Sequence, residues 1–256
     1  MSGNAIGIED YEDNMPLAKI AAESGDIGFY VPSRMAAFRV QTLFSKEPDT
    51  IQWISTFEDG GTFIDVGANV GMYTIWAAKQ RAVRVLAFEP EAQNYALLNR
   101  NIMLNNLETR VAAYCLALGD AQRFAMLNIS DTRIGGSFST LDGSGDAAAA
   151  PERDAKETVF RQGCVSVSLD QVLTGTGAAA PIYLKVDVDG IEPLVIAGAA
   201  NLLENTGLRS ILIELDPSRT AHRNTFDRIV AAGFSPDAAS QSRWVEGVSA
   251  NSIFWR

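Results

Sequence analysis

The chain has 256 residues, 47% hydrophobic and 20% charged, which is apolar material for one sizeable core and little more. Twenty-one basic against 31 acidic side chains give a net charge of −10, opposite to what neutralising phosphates requires, so no nucleic-acid partner is expected. The two cysteines, Cys115 and Cys164, have no CxxC spacing and no histidine-rich neighbourhood, which excludes a closed zinc site and a disulfide framework.

In chain order, the N-terminus is acidic where a signal peptide is basic, and no apolar run approaches the ~18 residues of a membrane span. The expectation is a cytoplasmic protein. Pro48 and Asp49 precede an apolar-periodic segment within residues 39–57, as where one helix ends and another begins. Residues 1–59 read as an N-terminal extension packed on a main domain of residues 60–256.

From Thr62 onward, short β-type runs alternate with amphipathic segments of helical length, the pattern of a parallel sheet wrapped by helices. Strands are expected over 63–66, 84–89 and 111–116, with helices over 72–80 and 92–105. Residues 124–129 and 158–168 read as an inserted β-hairpin. It flanks a small, polar stretch, 142–154, expected to be a mobile loop. The winding resumes with a nearly continuous apolar run over 182–188, a helix over 191–204 and a strand over 210–215. A helix over 225–232 stops at Gly233, and two edge strands finish the chain.

The segment TFIDVGANVGMYT, from Thr62 to Thr74, carries the most chemistry. A strand containing Asp65 runs into Gly67, Ala68, Asn69 and Gly71 and then a helix, so the backbone can turn sharply and meet a ligand at the helix start. A dinucleotide fingerprint would need glycines where Asn69 and Met72 stand. Glu89 ends the next strand, where a carboxylate accepts two ribose hydroxyls. Together these features imply an adenosine without a diphosphate, which S-adenosylmethionine satisfies.

FIDVGANVGMYTIWAA, FEPEAQNYALLNRNIMLNN, VSLDQVL and IYLKVDVDGIEPLVIAGAANLL followed by ILIEL resemble the FkbM family of S-adenosylmethionine-dependent methyltransferases from Arg39 to the C-terminus. The resemblance implies a class I, Rossmann-like α/β fold with a doubly wound seven-stranded sheet, mostly parallel with an antiparallel last strand. It implies methyl transfer, usually to oxygen, and an acceptor that is a small molecule or glycan precursor. It places Asp65, Gly67, Asn69 and Gly71 on the cofactor turn and Glu89 on the ribose. It puts the adenine pocket at Ala117 to Asp120, where a backbone N–H meets the ring and Asp120 either accepts from the exocyclic amine or is a turn residue. The family motif K-I/V-D-V-E-G is matched at Lys185, Asp187 and Gly190, with Asp189 in place of the glutamate.

A hydroxyl acceptor must also lose its proton. Asp187, ending the fourth strand, is the best candidate base, with Lys185 on the same face as an ion-pair partner; a purely structural pair is the alternative. His222, the only histidine, lies in the loop expected after the fifth strand, either as a base or as a surface residue. Asp187 and Glu214 also offer two oxygen ligands for Mg²⁺, with no third evident. Arg133, Ser137 and Ser139 are placed where the hairpin overhangs the cofactor. Tyr73 and Trp76 are expected in the core, and Asn94, Asn101, Asn105 and Asn106 on the surface and at a helix end. A binding subunit that has lost catalysis and an NAD-dependent oxidoreductase are the alternative functions.

Overall fold

Thr62–Val66 is buried along its whole length, as a strand covered on both faces must be, and so are its flanking runs Arg84–Phe88, after the exposed Arg84, and Ile182–Val186. A computed structural model describes residues 14–22, 25–142, 157–245 and 247–256. Two short strands, β1 (Leu17–Ile20) and β2 (Ile27–Tyr30), form an antiparallel pair, followed by helices α1 (Arg34–Gln41) and α2 (Pro48–Ser55). The winding then runs β3 (Thr62–Val66), α3 (Met72–Gln80), β4 (Arg84–Phe88), α4 (Ala92–Leu104) and β5 (Val111–Tyr114). Strands β6 (Ala117–Gly119), β7 (Arg123–Ile129), β8 (Thr140–Leu141) and β9 (Phe160–Ser168) intervene. Helix α5 (Leu169–Thr176) leads into β10 (Ile182–Val186), α6 (Glu192–Ala197), α7 (Ala200–Glu204), β11 (Leu208–Leu215) and α8 (Thr220–Ala231). The chain closes with β12 (Ser235–Pro236), α9 (Ala238–Gln241) and β13 (Ala250–Trp255).

The main sheet has seven strands in the order β12-β13-β11-β10-β3-β4-β5, parallel except where β13 pairs antiparallel with β11 and β12. Alternate residues of each strand feed two cores. Phe63, Val85, Tyr183 and Ile253 pack on one side with Trp53, Ile75 and Leu97. On the other side Ile64, Leu86, Leu184 and Phe254 pack with Val195, Leu202 and Ile229. This is the doubly wound, class I arrangement that the alternation of elements implies.

The expected hairpin pairs as β7 and β9 and belongs to a second, four-stranded sheet ordered β6-β9-β7-β8. The strand expected over 111–116, which would carry Ala117 to Asp120 at its end, is therefore corrected. Strand β5 is the edge of the main sheet and stops at Tyr114; the chain then leaves it, and Ala117 pairs with Ser166 of β9. The helix expected over 191–204 is likewise two helices. It breaks at Gly198, where a Cβ would lie 2.0 Å from the Gly119 carbonyl oxygen, so β6 packs closely only against an interrupted helix. Residues 143–154 of the expected mobile loop lie outside the described residues, as do residues 1–13 of the extension.

The asparagines expected at the surface are mostly interior. Asn94, Asn101 and Asn105 are buried. Asn101 accepts from the Tyr30 N–H and donates to the Val70 carbonyl, and Asn105 exchanges hydrogen bonds with both backbone groups of Gly28. Side-chain amides, which carry both donor and acceptor, thus join β2 to α4 where no sheet ladder can. The N-terminal helices are anchored by Trp53, whose indole N–H donates to Ser210 Oγ at 2.8 Å and whose ring meets Phe57 and Phe63 edge-on. Trp53→Ala should cost about 3–5 kcal/mol of stability in urea denaturation, through the cavity left in this core. A loss below about 1 kcal/mol would show that the helices are not integral to the fold.

Candidate functional site

The site begins where β3 meets β10 at the carboxyl edge of the sheet. Gly67, at φ +83°, follows β3, and a Cβ there would lie 1.9 Å from the Asp187 carbonyl oxygen, so only glycine lets the turn close onto the end of β10. The N–H groups of Gly67 and Ala68 donate to the Phe88 carbonyl, which draws the turn toward β4 as well. Asn69 (φ +50°) then aims its N–H at Glu89 Oε2, 2.8 Å away. Glu89 Oε1 accepts the Glu91 N–H at 2.9 Å. Each oxygen of this carboxylate retains acceptor capacity for a ligand. Burial pushes the Glu89 carboxyl up to about 7, against the pull of those two N–H groups.

Two cavities meet at this edge. The first, about 230 Å³, runs from an apolar slot at Leu116, Ala117 and Leu127, past Glu89, to Asp187 and Glu214. The second, about 280 Å³, lies between the turn and the N-terminal helices and is lined by Phe38, Leu43, Glu47, Tyr73 and Lys185. Asp187, Gly67 and Asn69 belong to the walls of both.

Charge is concentrated beneath the junction. The Lys185 ammonium, 1% exposed, lies 2.7 Å from Asp187 Oδ2 and 5.0 Å from the centre of the Tyr73 ring. Burial alone would push Lys185 down, but Asp187, Asp65 and Glu47 outweigh it and hold the amine protonated. Burial pushes Asp187 up, and its pair with Lys185 wins, keeping it ionised with 31% of its side chain facing the cavities. Glu214, nearby, is pushed up to about 7 by burial and by Asp187 and Glu47. Glu47 accepts from Thr50 Oγ1 at 3.2 Å and from the Tyr73 hydroxyl, and Lys46 lies 3.0 Å away.

The structure brings Gly67, Asn69, Glu89, Ala117 and Asp187 to the first cavity, with Asp189 beside them accepting the Ser139 N–H. Ala68 and Lys185 line the second. Asp65 and Gly71 line neither. Asp65 is buried beneath the turn, accepting from Thr74 Oγ1 at 2.6 Å, and Gly71 (φ +90°) caps α3 against Leu98.

Two further expected residues are not brought to the cavities. Asp120 turns away to pair with Arg123 on the face of the inserted sheet. His222 is buried in the first turn of α8, where Nδ1 accepts the Asp216 N–H at 3.0 Å and Nε2 lies 3.7 Å from Glu192. Burial and Arg219 push His222 down to about 4, which leaves it neutral and structural. Asp187 and Glu214 share a cavity, but among the described residues no group of three or more histidine, cysteine or acidic side chains forms around them, so Mg²⁺ has no supporting ligand set.

The residues that sequence reasoning missed are Glu47, Arg39 and Lys46, and it assigned Tyr73 to the core although the ring faces the second cavity. The hairpin loop does overhang the junction, since Ser137 and Phe138 line both cavities and Ser139 the first, whereas Arg133 is spent on Asp131.

The chain matches the family model described as the methyltransferase FkbM domain over residues 65–236. No curated protein matches it. Among solved structures it is similar to the METTL16 MTase domain, at TM-score 0.51 and 11% identity over 93% of this chain and 85% of that one. A methyltransferase FkbM from Methylobacillus flagellatus KT gives TM-score 0.48 and 16% identity over 78% of this chain. The match spans only 44% of that protein's length. An O-methyltransferase from Bacillus cereus in complex with SAH gives 0.45 and 15%, over 86% and 85% of the two chains.

Glu89 makes stability depend on pH. Its folded value of about 7 lies above the ordinary 4.5, so the folded state holds the proton more tightly and stability falls as pH rises between those values. Glu89→Gln removes that loss. Its stability relative to the wild type should improve by up to about 3 kcal/mol from pH 4 to pH 8 in paired denaturant titrations. A constant offset across that range would assign Glu89 an ordinary carboxyl.

Proposed function

The chain belongs to the FkbM methyltransferase domain family, and from that premise we propose that it transfers the methyl group of S-adenosylmethionine to a hydroxyl oxygen of a small-molecule acceptor. The observation that carries this reading is Asp187, one ionised carboxylate in the wall shared by two cavities. A two-substrate transfer needs such a junction, because donor and acceptor must meet in line at a single point.

The residues of the first cavity fit the donor. The apolar slot at Leu116 and Ala117 suits an adenine, Glu89 suits the ribose hydroxyls, and Asp187 with Glu214 supplies negative charge for a cationic sulfonium and amine. When bound, S-adenosylmethionine supplies a methyl group made electrophilic by its sulfonium. What this chain contributes is position and charge. Asp187 accepts a hydrogen bond from the acceptor hydroxyl and takes its proton late in the transfer. Lys185 holds Asp187 in place and ionised, and the Gly67 turn holds the two cavities in register. Most of the rate enhancement is then alignment, since the reaction has no large charge to create.

S-adenosylhomocysteine, the product, tests the donor half without knowledge of the acceptor. Calorimetric titration should show binding by the wild type, about 10- to 100-fold weaker binding by Glu89→Ala, and none of NADH. The expected loss follows from removing a charged acceptor from two hydroxyl contacts. If folded wild-type protein fails to bind S-adenosylhomocysteine, the proposal is wrong.

A further inference from the structure

We propose that the acceptor is a hydroxy compound with a predominantly apolar, aromatic or alkyl body, held in the second cavity by Phe38 and its neighbours; this rests on the methyltransferase reading above. The cavity is lined in two ways. Asp187, Lys185, Glu47 and Tyr73 supply its polar lining, while Met35, Phe38, Leu43 and Phe138 supply an apolar one. Phe38 is 51% exposed and Phe138 44%, so two aromatic rings stand at the entrance with much of their surface in water. Phe138 is held there at φ +67°, a conformation that costs a bulky side chain free energy and is tolerated where the placement of the ring matters.

Many of the polar groups along the wall are already engaged. Thr42 Oγ1 donates to the Phe38 carbonyl, Arg39 Nε to the Gly135 carbonyl, and the Asn69 amide bonds both Gly136 and Val70. Lys46 pairs with Glu47 and Lys185 with Asp187. A polyhydroxylated sugar entering this space would give up water at several hydroxyls with few partners left to match them, at a cost for every unpaired group. An apolar body gives up nothing of that kind and covers the two exposed rings. One hydroxyl beside Asp187 finds the carboxylate.

Part of the wall that confers this selectivity, Met35, Phe38 and Leu43, comes from α1 and the segment into α2, outside the residues 65–236 matched by the family model, and Phe138 joins it from within them.

The test uses full-length protein saturated with S-adenosylhomocysteine, with para-propylphenol and methyl glucoside as probes read by saturation-transfer NMR and titration. The phenol should bind and the glucoside should not. Phe38→Ser should weaken the phenol about tenfold and Phe38→Leu about twofold or less, with S-adenosylhomocysteine affinity unchanged in both. Phe38 is half exposed and lines only the second cavity, so neither variant threatens folding or the first cavity. Binding of the glucoside in preference to the phenol would overturn the proposal, as would phenol affinity insensitive to Phe38→Ser. Failure of the wild type to bind S-adenosylhomocysteine at all would instead sink the methyltransferase reading and this one with it.

Discussion

The close approach of Gly67 to the Asp187 carbonyl is the constraint from which the site follows. With any side chain at position 67 the turn after β3 would have to lift by more than an ångström from β10. Asn69 would then lose the line to Glu89, and the wall that Asp187 shares between two cavities would open. Glycine here is not an allowance for flexibility. It fixes one backbone against another so that two strand ends, a helix start and a carboxylate occupy a space no larger than one ligand.

Around that contact the chain gathers more negative charge than it neutralises. Lys185 answers Asp187 and, more weakly, Asp65 and Glu47, while burial, with Asp187 and Glu47 beside it, lifts Glu214 to about 7. Burying carboxylates near one another is unfavourable without a compensating cation. The arrangement is a standing preference for a positive ligand at the junction. On the proposed reading a sulfonium would meet that preference before the transfer and a neutral thioether would not meet it afterwards, so the same charge that draws the donor in would also weaken the hold on the product.

Much of this was legible in the sequence because it rests on local pattern. The glycine turn, the acid at the end of the following strand and the Lys-x-Asp of β10 are each encoded within a few residues, and their separation matches one turn of a wound sheet. What escaped was set by long-range packing. Asn101 and Asn105 look like solvent-facing amides on a helix, and only the approach of β2, about seventy residues earlier, makes them interior. His222 looks like a loop base, but α8 begins two residues before it and turns it inward. Asp120 follows a strand end in sequence, yet the chain has already left the main sheet for the inserted one. Glu47 carried no signal, since nothing local says that α2 will lie beside Tyr73.

The same distinction explains how the molecule divides its labour. Gly67, Asn69, Glu89, Asp187 and Glu214, which line the first cavity, are strand ends or the turns that follow them, positions that the sheet itself fixes, and all fall within residues 65–236. The second cavity is closed by helices that touch the sheet only through side chains such as Trp53. A contact of that kind is independent of strand register, so the helices can change sequence on their inner face without disturbing the turn at Gly67. Chemistry common to a family belongs on the part of the fold that cannot vary, and selection of the acceptor belongs on the part that can.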